Sequence, residues 1–227
     1  MILAAGRGKR MRPLTDATPK PLLKVRGKPL IEWHLEALAR GGVRSVVING
    51  AWLEAQIVDA LGDGSRWGLA IRYSLEGRDH GGALETAGGI ALALPLLAPT
   101  FWVVSGDIYA PEFEFDADRA ARFATGDRLA DLWLVPNPPY HARGDFGLGA
   151  DGLGLAEPAD GQSWTYANIA LCRAELCAGI APGSIAALAP LLFAGMRERR
   201  IGAELYRGRW ENVGTPEQLA ALNAAPD

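Results

Sequence analysis

At 227 residues, with 49% hydrophobic and 22% charged side chains, the chain is long enough to bury one sizeable core, and a single domain over 1–227 is its expected organisation. A formal charge of -3 and a pI near 5.7 exclude a global attraction to nucleic acid or to an acidic membrane surface, so any phosphate binding has to be local. Cys172 and Cys177 are too few for the framework of a small secreted domain, and no long apolar run or signal-peptide pattern occurs, so reduced thiols and a cytoplasmic location are expected.

Met1 to Ala5 is a short apolar run that reads as a buried strand feeding a glycine-rich loop. Basic residues then crowd together: eight of the 23 fall within the first 28 positions, where Asp16 is the only acid. From Pro29 to Arg40, Leu30, Ile31, His34, Leu35 and Leu38 follow a helical spacing that Gly41 and Gly42 stop. Strands follow at 45–49, 69–74, 101–105 and 130–135, separated by helices at 53–61, 85–94 and 118–124. This alternation predicts an α/β fold, a Rossmann-like three-layer sandwich with a mainly parallel mixed sheet and ligands at the carboxyl ends of its strands.

After Val135 the texture changes. Pro136, Pro138 and Pro139 break the chain and glycines recur through Gly161, which predicts a small β-rich insertion over 136–165 covering one side of the site. A strand at 166–171 and an amphipathic helix at 186–199 come next. Thr215-Pro216-Glu217-Gln218 then offers a capping-box threonine, a first-turn proline and a reciprocal glutamine for the last helix. His34, His80 and His141 lack the spacing of a zinc site.

Chemistry concentrates in LAAGRGKRMRP, Leu3 to Pro13. Gly6 and Gly8 follow the first strand directly, where glycines let backbone N–H groups converge on an oxyanion. Taken alone the two glycines equally suit a plain tight turn. They fit neither GxGxxG, since Met11 stands at the third glycine, nor the P-loop. Beyond them Thr18-Pro19-Lys20-Pro21-Leu22 sets a lysine between two prolines, which fix its backbone and bar a helix.

The whole run, LAAGRGKRMRPLTDATPKPL, resembles the amino-terminal motif of the sugar nucleotidyltransferases that make nucleoside diphosphate sugars. That resemblance implies a loop of Leu3, Ala4, Ala5, Gly6 and Gly8 around a nucleoside triphosphate, with Arg10 on the phosphates that leave as pyrophosphate. It also implies that Lys20 bridges the α-phosphate and the incoming sugar phosphate. Fixed cations suit this chemistry, in which two polyanions must meet in line.

The same resemblance implies Mg²⁺ as cofactor, held by Asp107, where FWVVSGD ends a buried strand, and by Asn212 of WENVGTP, where many relatives have aspartate. It assigns Glu76, Glu85, Thr86 and Gly88 to the nucleotide, although Glu85 and Thr86 also suit helix capping. Gly144, Asp145 and Asn168 go to the sugar, with asparagine at 168 where most relatives carry glycine.

INGAWL, LETAGGI, NPPYHARGDF and YRGRWENVGTP resemble the subgroup that transfers a uridylyl group from UTP to N-acetylmuramic acid 1-phosphate in cell-wall recycling. Guanylyl transfer to mannose or heptose 1-phosphate is the alternative, and a nucleotide-sugar-binding regulatory protein without chemistry is the non-enzyme alternative. The expected partners are a nucleoside triphosphate and a sugar 1-phosphate, without nucleic acid or membrane, and the pattern fixes no oligomeric state.

Overall fold

A computed structural model describes residues 1–158 and 161–224. The first strand, β1 (Ile2–Leu3), is shorter than its apolar run, because the next amide, that of Ala4, turns to the Asn49 side chain instead of a neighbouring strand. Helix α1 (Leu14–Ala17) and a hairpin of β2 (Lys24–Val25) and β3 (Lys28–Pro29) follow. The hairpin was not evident in the sequence: Arg26 and Gly27 both take positive φ, the geometry of its two-residue turn.

Next come α2 (Leu30–Arg40), β4 (Ser45–Gly50), α3 (Glu54–Leu61), β5 (Ala70–Leu75) and α4 (Glu76–His80). Pro29 caps α2 from an extended conformation instead of entering its first turn. After α5 (Glu85–Ala93) the chain forms β6 (Thr100–Ser105), β7 (Ile108–Tyr109), α6 (Ala117–Thr125) and β8 (Ala130–Val135). Strands β9 (Gly147–Leu148), β10 (Gly154–Leu155) and β11 (Thr165–Arg173) lead to α7 (Ala189–Arg197). The chain closes with β12 (Ile201–Leu205), β13 (Glu211–Asn212) and α8 (Pro216–Ala224).

Seven strands form one mixed sheet in the order β12-β8-β11-β6-β1-β4-β5. Its parallel pairs include β1 with β4, β1 with β6, β4 with β5 and β8 with β12, while β11 runs antiparallel to β8. The continuous apolar runs of β4, β6 and β8 suit strands covered on both faces. The α/β fold and largely parallel sheet are therefore as expected.

Contacts divide the chain into two compact units. The first comprises residues 1–84, 104–116 and 209 onward. Its apolar cluster joins Met11, Leu23, Val25, Leu30 and Tyr109 to Val213 and to Leu219 and Leu222 of α8. The carboxy-terminal helix is thus seated under the amino-terminal loop. Asn223 strengthens the join, accepting from the Arg26 amide at 2.6 Å and donating to the Lys24 carbonyl at 3.1 Å.

The second unit comprises 85–103 and 117–208. Fully buried β8 is its centre, and Trp133 packs on Trp102 with ring centroids 5.0 Å apart. The segment from 136 to 165 carries an antiparallel ribbon of β9 and β10 and a bridge of Phe146 to Trp164, while its residues 159 and 160 lie outside the described residues. Both cysteines are free and buried, and burial pushes the Cys177 thiol up to about 12. Among the described residues no helix is long and apolar enough to cross a membrane.

Candidate active site

The amino-terminal loop leaves β1 at Leu3 with Ala4 and Ala5 buried and Gly6 exposed. Gly8 takes φ +62, and a Cβ there would lie 3.0 Å from Cγ2 of Thr15 and 3.4 Å from Cβ of Lys20. A side chain would therefore be strained twice, by the backbone and by its neighbours. The Thr15 hydroxyl donates to the Gly8 carbonyl at 2.8 Å and locks the turn.

Arg7 braces the loop from one side. It donates to the Thr15 carbonyl at 2.9 Å, pairs with Asp16 at 3.0 Å and stacks 3.5 Å from the ring centre of Trp52. Met11, fully buried, anchors the other side and explains why no third glycine stands there. Arg10 lies between these anchors, exposed and without an ion pair among the described residues, its guanidinium close to Gly214. One cation of this cluster is thus structural and another is available to a ligand.

Lys20 opens a 3-10 turn between Pro19 and Pro21 and is only 9% exposed. Its ammonium donates to Oδ2 of Asp107 at 2.6 Å. Asp107 follows β6 through Gly106, whose amide donates to the Leu3 carbonyl at 2.8 Å. A Cβ on Gly106 would sit 3.1 Å from that carbonyl and 3.3 Å from Pro21, so glycine is what lets the carboxylate's turn press against the first strand and the lysine's proline.

Asn212 reaches the same place by pairing. β13 runs antiparallel to β7 with Asn212 opposite Ile108, and the Val213 amide donates to the Asp107 carbonyl at 3.0 Å. The side-chain oxygen of Asn212 is buried and has no hydrogen-bond partner among the described residues. A buried acceptor left alone is costly, and the natural remedy is a donor or a cation. Beyond it, Gln218 accepts the Gly214 amide at 2.7 Å and its own amide donates to the Thr215 hydroxyl at 3.3 Å. The glutamine thus bonds one residue before the one that a capping box requires, and so holds the 212–214 turn.

His34 on α2 is buried beneath the Ser105–Ile108 turn, where burial pushes its imidazole down to about 4. It is therefore neutral near pH 7. Glu76 is fully buried. Its carboxylate accepts from Nδ2 of Asn49 at 2.6 Å and from the Leu84 amide at 2.8 Å, and burial raises its pKa against the pull of those bonds. Oδ1 of Asn49 in turn accepts the Ala4 amide at 2.8 Å. Asn49 escaped the sequence reading, although a polar residue closing the buried run SVVIN at its carboxyl end was the available signal.

The first unit thus brings together Leu3, Ala4, Ala5, Gly6, Gly8, Arg10, Lys20, Glu76, Asp107 and Asn212. The second carries Glu85, Thr86, Gly88, Gly144, Asp145 and Asn168. Glu85 starts α5 with φ +60, and the amides of Ala87 and Gly88 both donate to the Ala186 carbonyl, at 2.9 and 3.0 Å. Those two amides are already committed.

Gly144 takes φ +63, and a Cβ there would lie 2.7 Å from Oδ1 of Asn137. Asp145 next to it accepts the Tyr166 amide at 2.8 Å and lies 3.0 Å from Nε2 of His141. Asn168 sits at φ +56 where the pairing of β11 shifts register. Asparagine is among the few residues with a side chain that tolerate this backbone, which is the demand that position 168 makes.

The pattern of the family described as nucleotidyl transferase matches residues 1–148. The N-acetylmuramate alpha-1-phosphate uridylyltransferase of Neisseria meningitidis serogroup B is 51% identical over 99% of this chain and 96% of its own. The enzyme of the same name from Caulobacter vibrioides is 32% identical over 99% of this chain and 95% of its own. Among solved structures, a Bacillus anthracis protein provisionally described as a glucose-1-phosphate thymidylyltransferase, in complex with sucrose, superposes with a TM-score of 0.82. It covers 98% of this chain and 92% of its own at 19% identity, which speaks to the fold.

Proposed function

We propose a specific reaction from one premise: the chain belongs to the nucleotidyl transferase family. The reaction is transfer of UMP from UTP to N-acetylmuramic acid 1-phosphate, giving the UDP-sugar and pyrophosphate in the cytoplasm. A phosphate oxygen of the sugar phosphate attacks the α-phosphorus of UTP in line, a new P–O bond forms, and the bond to the β-phosphate oxygen breaks. A sugar phosphate is largely ionised at neutral pH, so no general base is needed. The sugar and the base rest on the likeness to the two uridylyltransferases, which runs over nearly the whole chain.

The observation that carries the chemistry is the Lys20 ammonium fixed 2.6 Å from the Asp107 carboxylate at the carboxyl end of β6. On this reading the Leu3–Gly8 loop takes the triphosphate and Arg10 meets the leaving pyrophosphate. Lys20 swings its charge onto the α-phosphate and the attacking phosphate. Glu85, Thr86 and Gly88 serve the nucleotide, and Gly144, Asp145 and Asn168 serve the sugar. For Glu76, buried and fully bonded, the part left is indirect.

The residues also fit a hard divalent cation. Asp107 offers a carboxylate, and the lone buried oxygen of Asn212 is a ligand in waiting, a set of oxygen donors that suits Mg²⁺. When bound, the ion would offset the charge of the phosphates. Asn212→Ala is expected to raise the Mg²⁺ needed for half-maximal rate at least about tenfold, the loss typical even of residues that only support a metal ligand. An unchanged Mg²⁺ titration of the rate would leave Asn212 with the turn alone.

The deciding experiment is a pyrophosphate-release assay of four nucleoside triphosphates against N-acetylmuramic acid, mannose, heptose and glucose 1-phosphates. UTP with the muramic acid phosphate is expected to be turned over best. Preference for GTP with mannose or heptose 1-phosphate would replace the substrate assignment, and nucleotide binding without turnover of any pair would make the chain a sensor.

A further inference from the structure

Three segments of the first unit meet at one buried polar pair. Asn49 lies near the end of β4 and Glu76 opens α4, and they are 2% and 0% exposed. The Ala4 amide donates to Oδ1 of Asn49 at 2.8 Å, Nδ2 of Asn49 donates to Oε1 of Glu76 at 2.6 Å, and the Leu84 amide donates to Oε2 of Glu76 at 2.8 Å. The chain of bonds has only one polarity. An amide on one side demands the oxygen of Asn49, and a carboxylate on the other demands its nitrogen.

Such a pair is a poor way to build a core. A buried carboxylate with amide partners only is costly to desolvate, and an apolar pair of the same volume would hold the strands together at least as well. What the polar pair adds is direction. It fixes the first amide of the phosphate loop and the first residue of the Leu84–Gly89 segment against the same two side chains. We infer that Asn49 and Glu76 are positioning residues of the nucleotide site, holding the loop at Ala4 and the following segment at Leu84 without touching the nucleotide. This rests on the nucleotidyl-transfer reading and names what keeps that site in shape.

The test reverses the polarity of the bonds. In Asn49→Asp two carboxylates face each other, and in Glu76→Gln two amide donors do. In the double variant Asp at 49 accepts from Ala4 and from Gln at 76, whose oxygen accepts from Leu84, so every bond is met again with the centre reversed. UTP affinity is measured by calorimetry with Mg²⁺ and no sugar phosphate, below the melting transition of each variant, together with KM for both substrates. Each single variant is expected to weaken UTP binding about tenfold or more, with KM for the sugar phosphate little changed. The double variant is expected to return to within about threefold of the unaltered protein. Glu76→Asp, which keeps the charge and shortens its reach, is the milder variant and should fall between.

Single variants, Glu76→Asp included, that melt lower yet bind UTP as the unaltered protein does would make the pair a core feature and overturn the inference. So would a double variant as weak as the singles. An unaltered protein that binds none of the four nucleoside triphosphates would remove the nucleotide reading and the inference with it, so the two failures are distinguishable.

Discussion

Asp107→Asn is expected to keep the fold and to lose turnover by about 10²-fold to 10³-fold or more, the scale for removing one preorganised electrostatic group. Asparagine is the informative replacement, because Lys20 needs an acceptor. Lys20 is 9% exposed and its ammonium is bonded to Asp107 at 2.6 Å, so alanine at 107 would strand a nearly buried charge. With Asp107 itself 29% exposed, water softens that penalty, and the loss of stability from alanine should be about 1–3 kcal/mol. Asparagine still offers an oxygen to the ammonium while removing the charge a divalent cation requires. Thermal melts by circular dichroism and a Mg²⁺ titration of pyrophosphate release would be run on both variants. Ordinary turnover of Asp107→Asn at ordinary Mg²⁺ would remove Asp107 from the chemistry.

The parts of this site legible in the sequence are those where a short stretch of chain carries its own constraint. Prolines around Lys20 restrict its backbone whatever packs nearby, and a glycine before Asp107 at the end of an apolar run marks a turn at a strand's edge. Both residues stand where such reasoning puts them, and the structure adds that they bond to each other across 87 positions. No periodicity encodes that contact. β7 and β13 were missed because each is a two-residue strand whose pairing depends on α8 folding back onto the amino-terminal loop. β12 was missed because Glu204 interrupts its apolar pattern, and only the tertiary structure supplies the partner, Arg119. The family resemblance assigns Glu76 to the nucleotide, yet its burial goes with its bond to Asn49, which lies 27 positions earlier and comes beside it only when β4 and β5 pair.

Lys20→Ala is expected to cut turnover by about 10²-fold to 10³-fold while changing UTP affinity far less, because its charge is needed most when two phosphates meet. On the proposed reading, Arg10 and the loop amides remain to hold the triphosphate in the ground state. The geometry adds a second, opposite effect. In the protein alone the lysine already supplies Asp107 with a positive partner at 2.6 Å, so a divalent cation approaching that carboxylate has to compete with it. Removing the lysine removes the competitor. Lys20→Ala should therefore bind Mg²⁺ or Mn²⁺ more tightly than the unaltered protein when no nucleotide is present, even as it turns over far more slowly. A residue needed only for folding would lower both, and a surface lysine would change neither. Calorimetric Mn²⁺ titration of the nucleotide-free proteins, beside single-turnover rates at saturating UTP and sugar phosphate, separates the cases. Near-normal turnover would reduce Lys20 to a charge in a proline turn. Slow turnover with weaker metal binding at an unchanged melting temperature, which sets a folding defect aside, would mean that the lysine and the carboxylate cooperate in holding the ion, and that the 2.6 Å contact is the site's working arrangement instead of its resting one.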